Sequence, residues 1–314
     1  MRPVLRPGTA LLRRDRAHLQ LGIEPGRAVV VRDSPTVRAL LTRLDGVRAQ
    51  ERVLAECLDP PAAAEALAAL VGAGVVVDAD EVRAAAVPAE FTHLLTRTDA
   101  GAAGVRLLAR RATTVGLVAN APRADDLLVA AGALLAGSGI GRLVAEPHVA
   151  ARIPSVGGWR HALPSPQARP DVTLVAGSPV TSAGTRALRA DRIDHLVVSQ
   201  VDGVATVGPF VRPGVTACVG CVDQARTARD PSWSALTHQL GAASATVPAP
   251  DLPGPRSRVL EAAASTWAVR DLLAHVEGDR VLCYGASLRF ADDLVDHVVH
   301  RWERHPGCEC RLPA

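Results

Sequence analysis

The chain has 314 residues, of which 48% are hydrophobic and 21% charged, so it can bury the cores of two domains and is too apolar to stay disordered. Its formal net charge is +3 and aromatic residues make up only 3%, which argues against a nucleic-acid surface built on clustered cations or base stacking. No lysine occurs, so all 35 basic residues are arginine; a Schiff-base lysine, a lysine general base and a P-loop lysine are excluded.

Apolar weight falls on Ala, Val and Leu, which favours helices and buried strands. No apolar run approaches the ~18 residues of a membrane span. The start, "MRPVLRPGTALLRRDRAHLQ", lacks the apolar core of a secretory signal. A cytoplasmic location is expected, where paired cysteines are more often metal ligands or redox centres than structural disulfides.

In chain order, "HLQLGIEPGRAVVV" (18–31) reads as two short strands with turn chemistry at Pro25 and Gly26. Ser34 then precedes "PTVRALLTRLDG", where it serves as N-cap, Pro35 takes the first helical position, and Leu40, Leu41 and Leu44 form an apolar face. A second helix is expected from Arg48 to Cys57. A third is expected in "PPAAAEALAALVGAGVVVD", with Leu67, Leu70 and Val71 on one face, before a closing strand. Strands, three helices and a strand make residues 1–85 a winged-helix-like domain. The alanine-rich stretch 86–103 is read as a connector.

From 104 to 314 strands alternate with helices. "ATTVGLVANAP" is a buried strand, and "RADDLLVAAGALLAGSGIGRLVAEP" a helix leading to a strand at Arg142 to Ala145. "RPDVTLVAGSP", "TSAGTRALRADR" and "DHLVVSQVDG" repeat the strand–helix–strand order, which implies an α/β fold with a doubly wound, mostly parallel sheet. "VPAPDLPGPRS" (247–257) is a loop. "SRVLEAAASTWAVRDLLAHVEG" is an amphipathic helix capped by Ser257 and stopped by Gly278, and "RVLCYGASL" a late strand.

Of six cysteines, Cys57 and Cys283 fall in a helical and a strand pattern and read as small buried hydrophobes. The other four form two pairs, Cys218-x-x-Cys221 and Cys308-x-Cys310, each preceded by Pro-Gly. Two thiolates on a tight turn can face one ion at ~2.3 Å, and two such turns complete a tetrahedron. A structural Zn2+ on Cys218, Cys221, Cys308 and Cys310 is the favoured reading. A redox pair or disulfides, and incidental cysteines, stand as alternatives. A closed four-sulfur site leaves no position for substrate and would not be catalytic. His305 is read as support for this knuckle.

A phosphate-cradling glycine loop is missing where the first strand of this fold should carry one. Gly116 falls within the strand, and the turn reads Ala119-Asn120-Ala121-Pro122, where the proline removes an N–H. "GSGIG" (137–141) suits a helix C-terminus, and Glu146 is the only candidate for a ribose-binding acid. No H-E-x-x-H or G-x-S-x-G occurs. The pairs Asp125-Asp126 and Asp292-Asp293 read as solvated helix faces or first-turn acids. No catalytic residue is assigned.

The run "VGPFVRPGVTACVGCVDQARTARDPSW", with a terminal "HPGCEC", resembles the ThiF-type, ubiquitin-activating-enzyme-like family. More narrowly, it is similar to the cyclodehydratase partner, or precursor leader-peptide-binding, branch found in actinobacterial clusters for azoline-bearing peptides. With "LRPGTALL", "LQLGIEP" and "LLTRLDG", the resemblance covers nearly the whole chain. It implies an amino-terminal element that binds a leader peptide as an added strand, a zinc-holding ThiF-like domain, and docking of a separate YcaO-type cyclodehydratase that uses the ATP. Adenylating members carry the glycine loop, a lysine and a magnesium-binding aspartate after a central strand. Here the loop and lysine are missing and Ala176-Gly177 follows "DVTLV", so bound ATP is not expected.

The reading that results is a non-catalytic scaffold. Its contacts to the peptide would come from the edge strand Ala28, Val29, Val30 and Val31 and from the helix bearing Leu67, Leu70 and Val71; ordinary core is the alternative reading of these apolar residues. A homodimer is implied by the resemblance alone, and neither nucleic acid nor membrane is expected as a partner. Two alternatives stay open: an ATP-dependent adenylating enzyme with a degenerate loop, and a winged-helix regulator that binds DNA.

Overall fold

The computed structural model describes residues 1–85, 87–120, 124–154, 169–177, 183–243, 257–291 and 293–311. It divides into two compact units, Met1–Leu108 and Ala109–Ala314. No helix among the described residues is long and apolar enough to cross a membrane.

In the first unit, β1 (Pro3–Leu5) and two further strands, β2 (Leu11–Arg13) and β3 (His18–Leu21), precede β4 (Val29–Arg32). Strands β2, β3 and β4 form an antiparallel sheet in that order, with Gln20 opposite Leu12 and Val30. The β3–β4 hairpin matches the sequence expectation: Leu19 and Leu21 alternate into the core, and Gly26 takes the positive φ of 78° that the "EPG" turn requires. Strands β1 and β2 were not legible, because three residues are too few to show alternation.

Three helices follow: α1 (Pro35–Arg43), α2 (Gln50–Ala55) and α3 (Pro60–Gly72). Ser34 Oγ accepts the Val37 N–H at 3.2 Å and Pro35 opens α1, as the sequence predicts. Asp59 caps α3 in the same way through the Ala62 N–H. Helix α2 is shorter than the expected span of Arg48 to Cys57. Ala63, Leu67 and Leu70 form the buried stripe of α3, packing with Leu21, Leu40 and Val53. Val71 departs from the expected face: it is 40% exposed, whereas Leu67 and Leu70 are 2% and 1% exposed. Adjacent helical positions are ~100° apart, and the seam runs through Leu70.

Strand β5 (Val76–Asp78) returns to pair with β1, Val4 opposite Val77. Helices α4 (Ala79–Ala84), α5 (Pro88–Leu94) and α6 (Ala100–Ala112) come next. The stretch read as a connector is therefore largely helical, and Phe91, Leu94, Leu95 and Ala103 bury a small cluster with Val77.

The second unit is built on seven strands. In chain order come β6 (Thr114–Ala119), α7 (Asp125–Gly137), β7 (Arg142–Ala145), α8 (Pro147–Ala150), β8 (Val172–Gly177), α9 (Arg186–Ala190) and β9 (Asp194–Val201). Then follow β10 (Val204–Val211), α10 (Val219–Thr227), α11 (Trp233–Ala243), α12 (Arg258–Glu277), β11 (Ala286–Ala291) and β12 (Val298–Arg301). The sheet order is β12-β11-β10-β9-β8-β6-β7. Pairings among β7, β6, β8 and β9 are parallel, while β10, β11 and β12 extend the sheet in antiparallel fashion. Every residue of β8 is buried, as a central parallel strand covered on both faces requires.

Strands β10 and β12 escaped the sequence reading. Gly208 and Pro209 interrupt β10, where the register with β9 shifts between Val207 and Phe210. The expected strand "RVLCYGASL" starts late. The Asp271 carboxylate accepts the backbone N–H groups of Leu282 and Cys283 at 3.1 and 2.8 Å, so this stretch makes only an isolated bridge from Tyr284 to Phe210 before the regular ladder starts at Ala286. Helix α12 has the expected cap and stop, with Ser257 Oγ on the Leu260 N–H and Gly278 at φ 73°. It is not simply amphipathic, because Glu261, Ser265 and Asp271 are buried beside Leu260 and Leu272. The loop expected at 247–257 and the acid Asp292 lie outside the described residues, Ser257 apart.

Arg110 and Glu277, both 2% exposed at the side chain, form a buried ion pair, with Arg110 Nε donating to Glu277 Oε1 at 2.6 Å and Nη1 to the Ser138 carbonyl at 2.8 Å. Removing one partner strands a buried charge. Glu277→Ala is expected to lower the unfolding free energy by about 3–5 kcal/mol, and Arg110→Met/Glu277→Leu to recover most of it; urea denaturation of the three proteins measures both.

Candidate functional site

Strand β10 ends at Val211, and "RPGVTAC" turns the chain into α10. Gly214 takes the turn at φ 81°, the Val215 and Thr216 N–H groups return to the Arg212 carbonyl, and Thr216 Oγ1 accepts the Arg212 N–H. Cys218 then stands at the N-cap of α10 with Cys221 in its first turn. A C-x-x-C that opens a helix is also the layout of redox dithiols; the distinction comes from what else approaches.

Cys308 and Cys310 approach from the carboxyl-terminal turn. The four sulfurs lie within 4.8 Å of one another, three of the cysteines buried. Cys218 Sγ is 3.8 Å from Cys221 Sγ and 3.6 Å from Cys308 Sγ, and Cys221 Sγ is 3.4 Å from Cys310 Sγ. Sulfurs at the corners of a tetrahedron with ~2.3 Å metal–sulfur bonds would be about 3.8 Å apart. The donor set fits a metal ion that prefers thiolates and tetrahedral geometry.

Nearby backbone groups favour the thiolate forms, Cys221 acting on Cys218 and His305 on Cys221. The imidazole Nδ1 of His305 accepts the Gly307 N–H at 3.2 Å in the turn before Cys308. The Cys218 thiol is pushed up to about 12 by its hydrogen bond to Cys221 and by burial, while the same bond lowers Cys221.

Sequence reasoning missed Arg189, which α9 delivers to the site. Burial opposes its charge, but hydrogen bonds to Glu309 and to Cys218 Sγ outweigh that and hold its guanidinium above the ordinary arginine value. Four thiolates around a divalent ion leave a net negative charge, which a hydrogen-bonded guanidinium offsets. No spacing in the sequence announces this contact. Cys57 and Cys283 are buried single thiols, as expected, bonded to the Val53 and Val207 carbonyls.

The strand ends expected to hold a nucleotide in this fold carry different chemistry. The turn after β6 is described only as far as Asn120, so Ala121 and Pro122 lie outside the described residues. Asp125 and Asp126 occupy the first turn of α7, where a phosphate would approach the helix N-terminus. They are the first-turn acids the sequence offered as one reading, and both are paired: His148 Nε2 lies 3.2 Å from Asp125, Arg258 Nη1 lies 2.7 Å from Asp126, and Arg152 also pairs with Asp126. Gly137 ends α7 and Gly139 has φ 91°, the expected helix exit. Glu146 caps α8 without a side-chain bond, and Ala176-Gly177 close β8, buried.

The amino-terminal candidates divide. Leu67 and Leu70 belong to the core, and Val71 faces outward. Val29, Val30 and Val31 lie on β4, an outer strand of its sheet, with Ala28 just before it. The Asp33 N–H bonds the Ala17 carbonyl at 2.7 Å, which fixes the hydrogen-bond phase: Val29 and Val31 pair with β3, while Val30 and Arg32 turn their backbone N–H and C=O away from it. Among the described residues nothing pairs with that outer edge.

No protein-family model matches the chain, and no curated protein matches it in sequence. Solved structures do. The microcin C7 biosynthetic enzyme MccB in complex with N-formylated MccA is 12% identical with a TM-score of 0.62, over 98% of this chain and 99% of that one. Escherichia coli MccB with ATP is 10% identical with a TM-score of 0.60, over 98% and 99%. A heterocyclase in complex with substrate and cofactor is 14% identical with a TM-score of 0.64; the match takes in 98% of this chain and 39% of the heterocyclase. The chain shares the fold of these proteins.

Cys308→Ser is expected to reduce bound metal from about one ion per chain to near zero, read by elemental analysis, and to lower the melting temperature. Arg189→Met should weaken metal affinity roughly tenfold to a hundredfold. Because the Cys218 thiol is held up near 12 and must lose its proton to ligate, apparent affinity should rise with pH between about 6 and 8.

Proposed function

We propose that this chain is a leader-peptide-binding scaffold that presents a ribosomally made precursor to a separate YcaO-type cyclodehydratase. The observation that carries the reading is the whole-chain likeness to MccB solved with MccA, which takes in 98% of this chain and so both units. The likeness to a heterocyclase with its substrate bound points the same way. The amino-terminal unit acts in this reading as a winged-helix-like recognition element of the ThiF-like branch. The leader adds as a strand beside β4, taking backbone bonds from Val30 and Arg32, while Leu67 and Leu70 support the sheet from within. Holding the leader raises the effective concentration of the residues to be modified.

The four cysteines hold structural Zn2+ in this reading. A closed tetrahedral thiolate site supplies stability and no open position for chemistry. The scaffold itself uses no ATP: there is no lysine for the phosphates, and the first turn of α7 is occupied by its own carboxylates, bonded to Arg152 and Arg258.

A second reading, an ATP-dependent adenylating enzyme, is favoured by one observation, the likeness to MccB solved with ATP. Exchange of labelled pyrophosphate into ATP, assayed with and without a candidate precursor peptide, separates the two. The scaffold reading expects background exchange, and clear exchange would overturn it. Val30→Pro removes an outward N–H without touching the β3–β4 ladder. It should weaken binding of the fluorescein-labelled leader about tenfold in anisotropy titrations, with the melting temperature little changed.

A further inference from the structure

The cysteine motif continues as "DQARTARDPSW", and the sulfur cluster leaves that half unexplained. Arg226 lies in the last turn of α10, and its guanidinium sits between two indoles, 4.8 Å from the Trp233 ring centre and 5.6 Å from that of Trp302. Each indole is anchored. Trp302 Nε1 donates to Ser287 Oγ at 2.9 Å. The Trp233 backbone N–H donates to the Asp230 carbonyl, and its Nε1 points to Asp223 Oδ1 at 3.5 Å. The His300 ring stacks on Trp302 with centres 5.8 Å apart.

Further cations surround this stack. Ser287 opposes His300 in the β11–β12 register, so Ser287, Arg289 and His300 share one face at the end of the sheet. Arg289 and Arg229 are exposed. Burial, then Arg289, Arg226 and Arg229 together, depress the His300 pKa, which places all three guanidinium groups within electrostatic reach of one ring. Asp223 acts on Arg226, and Asp296 and Glu303 flank β12 in sequence. Among the described residues, Arg226, Arg229 and Arg289 form no ion pair.

Beside this cluster the sheet is open. Strand β12 is the last of the seven, and among the described residues it pairs only with β11. The Trp302 N–H bonds the Gly285 carbonyl at 2.7 Å, so the hydrogen-bonding phase turns the backbone of Val299 and Arg301 outward. Val298 and Val299 are exposed. The exposed guanidinium groups of Arg289 and Arg229 beside this edge make an anionic strand its electrostatic complement. Stacked Trp and Arg are also the side chains on which interface energy concentrates.

We propose that β12 and the Trp233–Arg226–Trp302 stack form a docking surface for an acidic, strand-forming segment of a partner protein. The segment extends the sheet at β12, with carboxylates toward Arg289, Arg229 and His300 and aliphatic side chains beside Val299. This surface is distinct from the β4 edge and stands whether or not the leader-binding reading holds.

The test uses the full chain and a fluorescein-labelled heptapeptide of alternating Glu and Val, with its Lys/Val counterpart as control, in anisotropy titrations. Saturable binding of the Glu/Val peptide is expected, weakened by salt. Arg229→Glu/Arg289→Glu and, separately, Val299→Pro should each reduce affinity roughly tenfold. Arg142→Glu, exposed on β7 at the opposite sheet edge, should change it by less than about twofold. The proposal is overturned if the Lys/Val peptide binds as well, if Arg142→Glu causes an equal loss, or if binding does not saturate by ~1 mM. All the substituted side chains are exposed, and matching melting curves establish that losses are local.

Discussion

Four cysteine sulfurs within 4.8 Å tie the turn after β10 to the end of the chain, and much of the carboxyl-terminal architecture follows from that closure. Cys308 and Cys310 must return to the start of α10, so the chain leaving β12 has to run back toward the same end of the sheet. Trp302, packed against the sulfur cluster, is thereby set beside Arg226 on α10. Burying thiolates without a counter-charge is costly. Around the sulfurs, the Cys221 and His305 backbones favour the thiolate forms, and Arg189 is held charged beside Cys218.

The second unit spends its electrostatics on structure where related folds are built to meet a phosphate. Asp125 and Asp126 already engage the first turn of α7 and hold His148, Arg152 and Arg258. Arg110, buried, is spent on Glu277 and the Ser138 carbonyl. What remains open is at the sheet edges. Strand β4 offers outward backbone groups at Val30 and Arg32, next to the Asp33–Arg38 ion pair, and β12 offers them beside clustered guanidinium groups. The two edges differ in the charges that flank them.

Much of the fold was legible in the sequence, for identifiable reasons. Ser34-Pro35 and Ser257 announced helix starts because a hydroxyl at the N-cap and a fixed φ are local requirements. β6, β8 and β9 were legible because strands buried on both faces read as unbroken apolar runs. Short elements were not: β1 and β2 are three residues each. β10 was hidden by Gly208-Pro209, and the late start of β11 is set by Asp271, a side chain from a different element. Val71 was misplaced because helical periodicity cannot say which of two adjacent residues the seam will pass through.

The sequence alone named the four cysteines whose sulfurs the structure brings within 4.8 Å of one another. The absence of lysine removes whole classes of chemistry regardless of fold. Tertiary structure alone decided what surrounds those residues. Arg189 reaches Cys218 from α9, Arg226 lies between indoles far apart in the chain, and the outward backbone of β4 and β12 depends on which strands are last in each sheet. Ligand type is a property of residues at close spacing; charge neighbours and open edges are properties of contacts between distant segments, which no local pattern encodes.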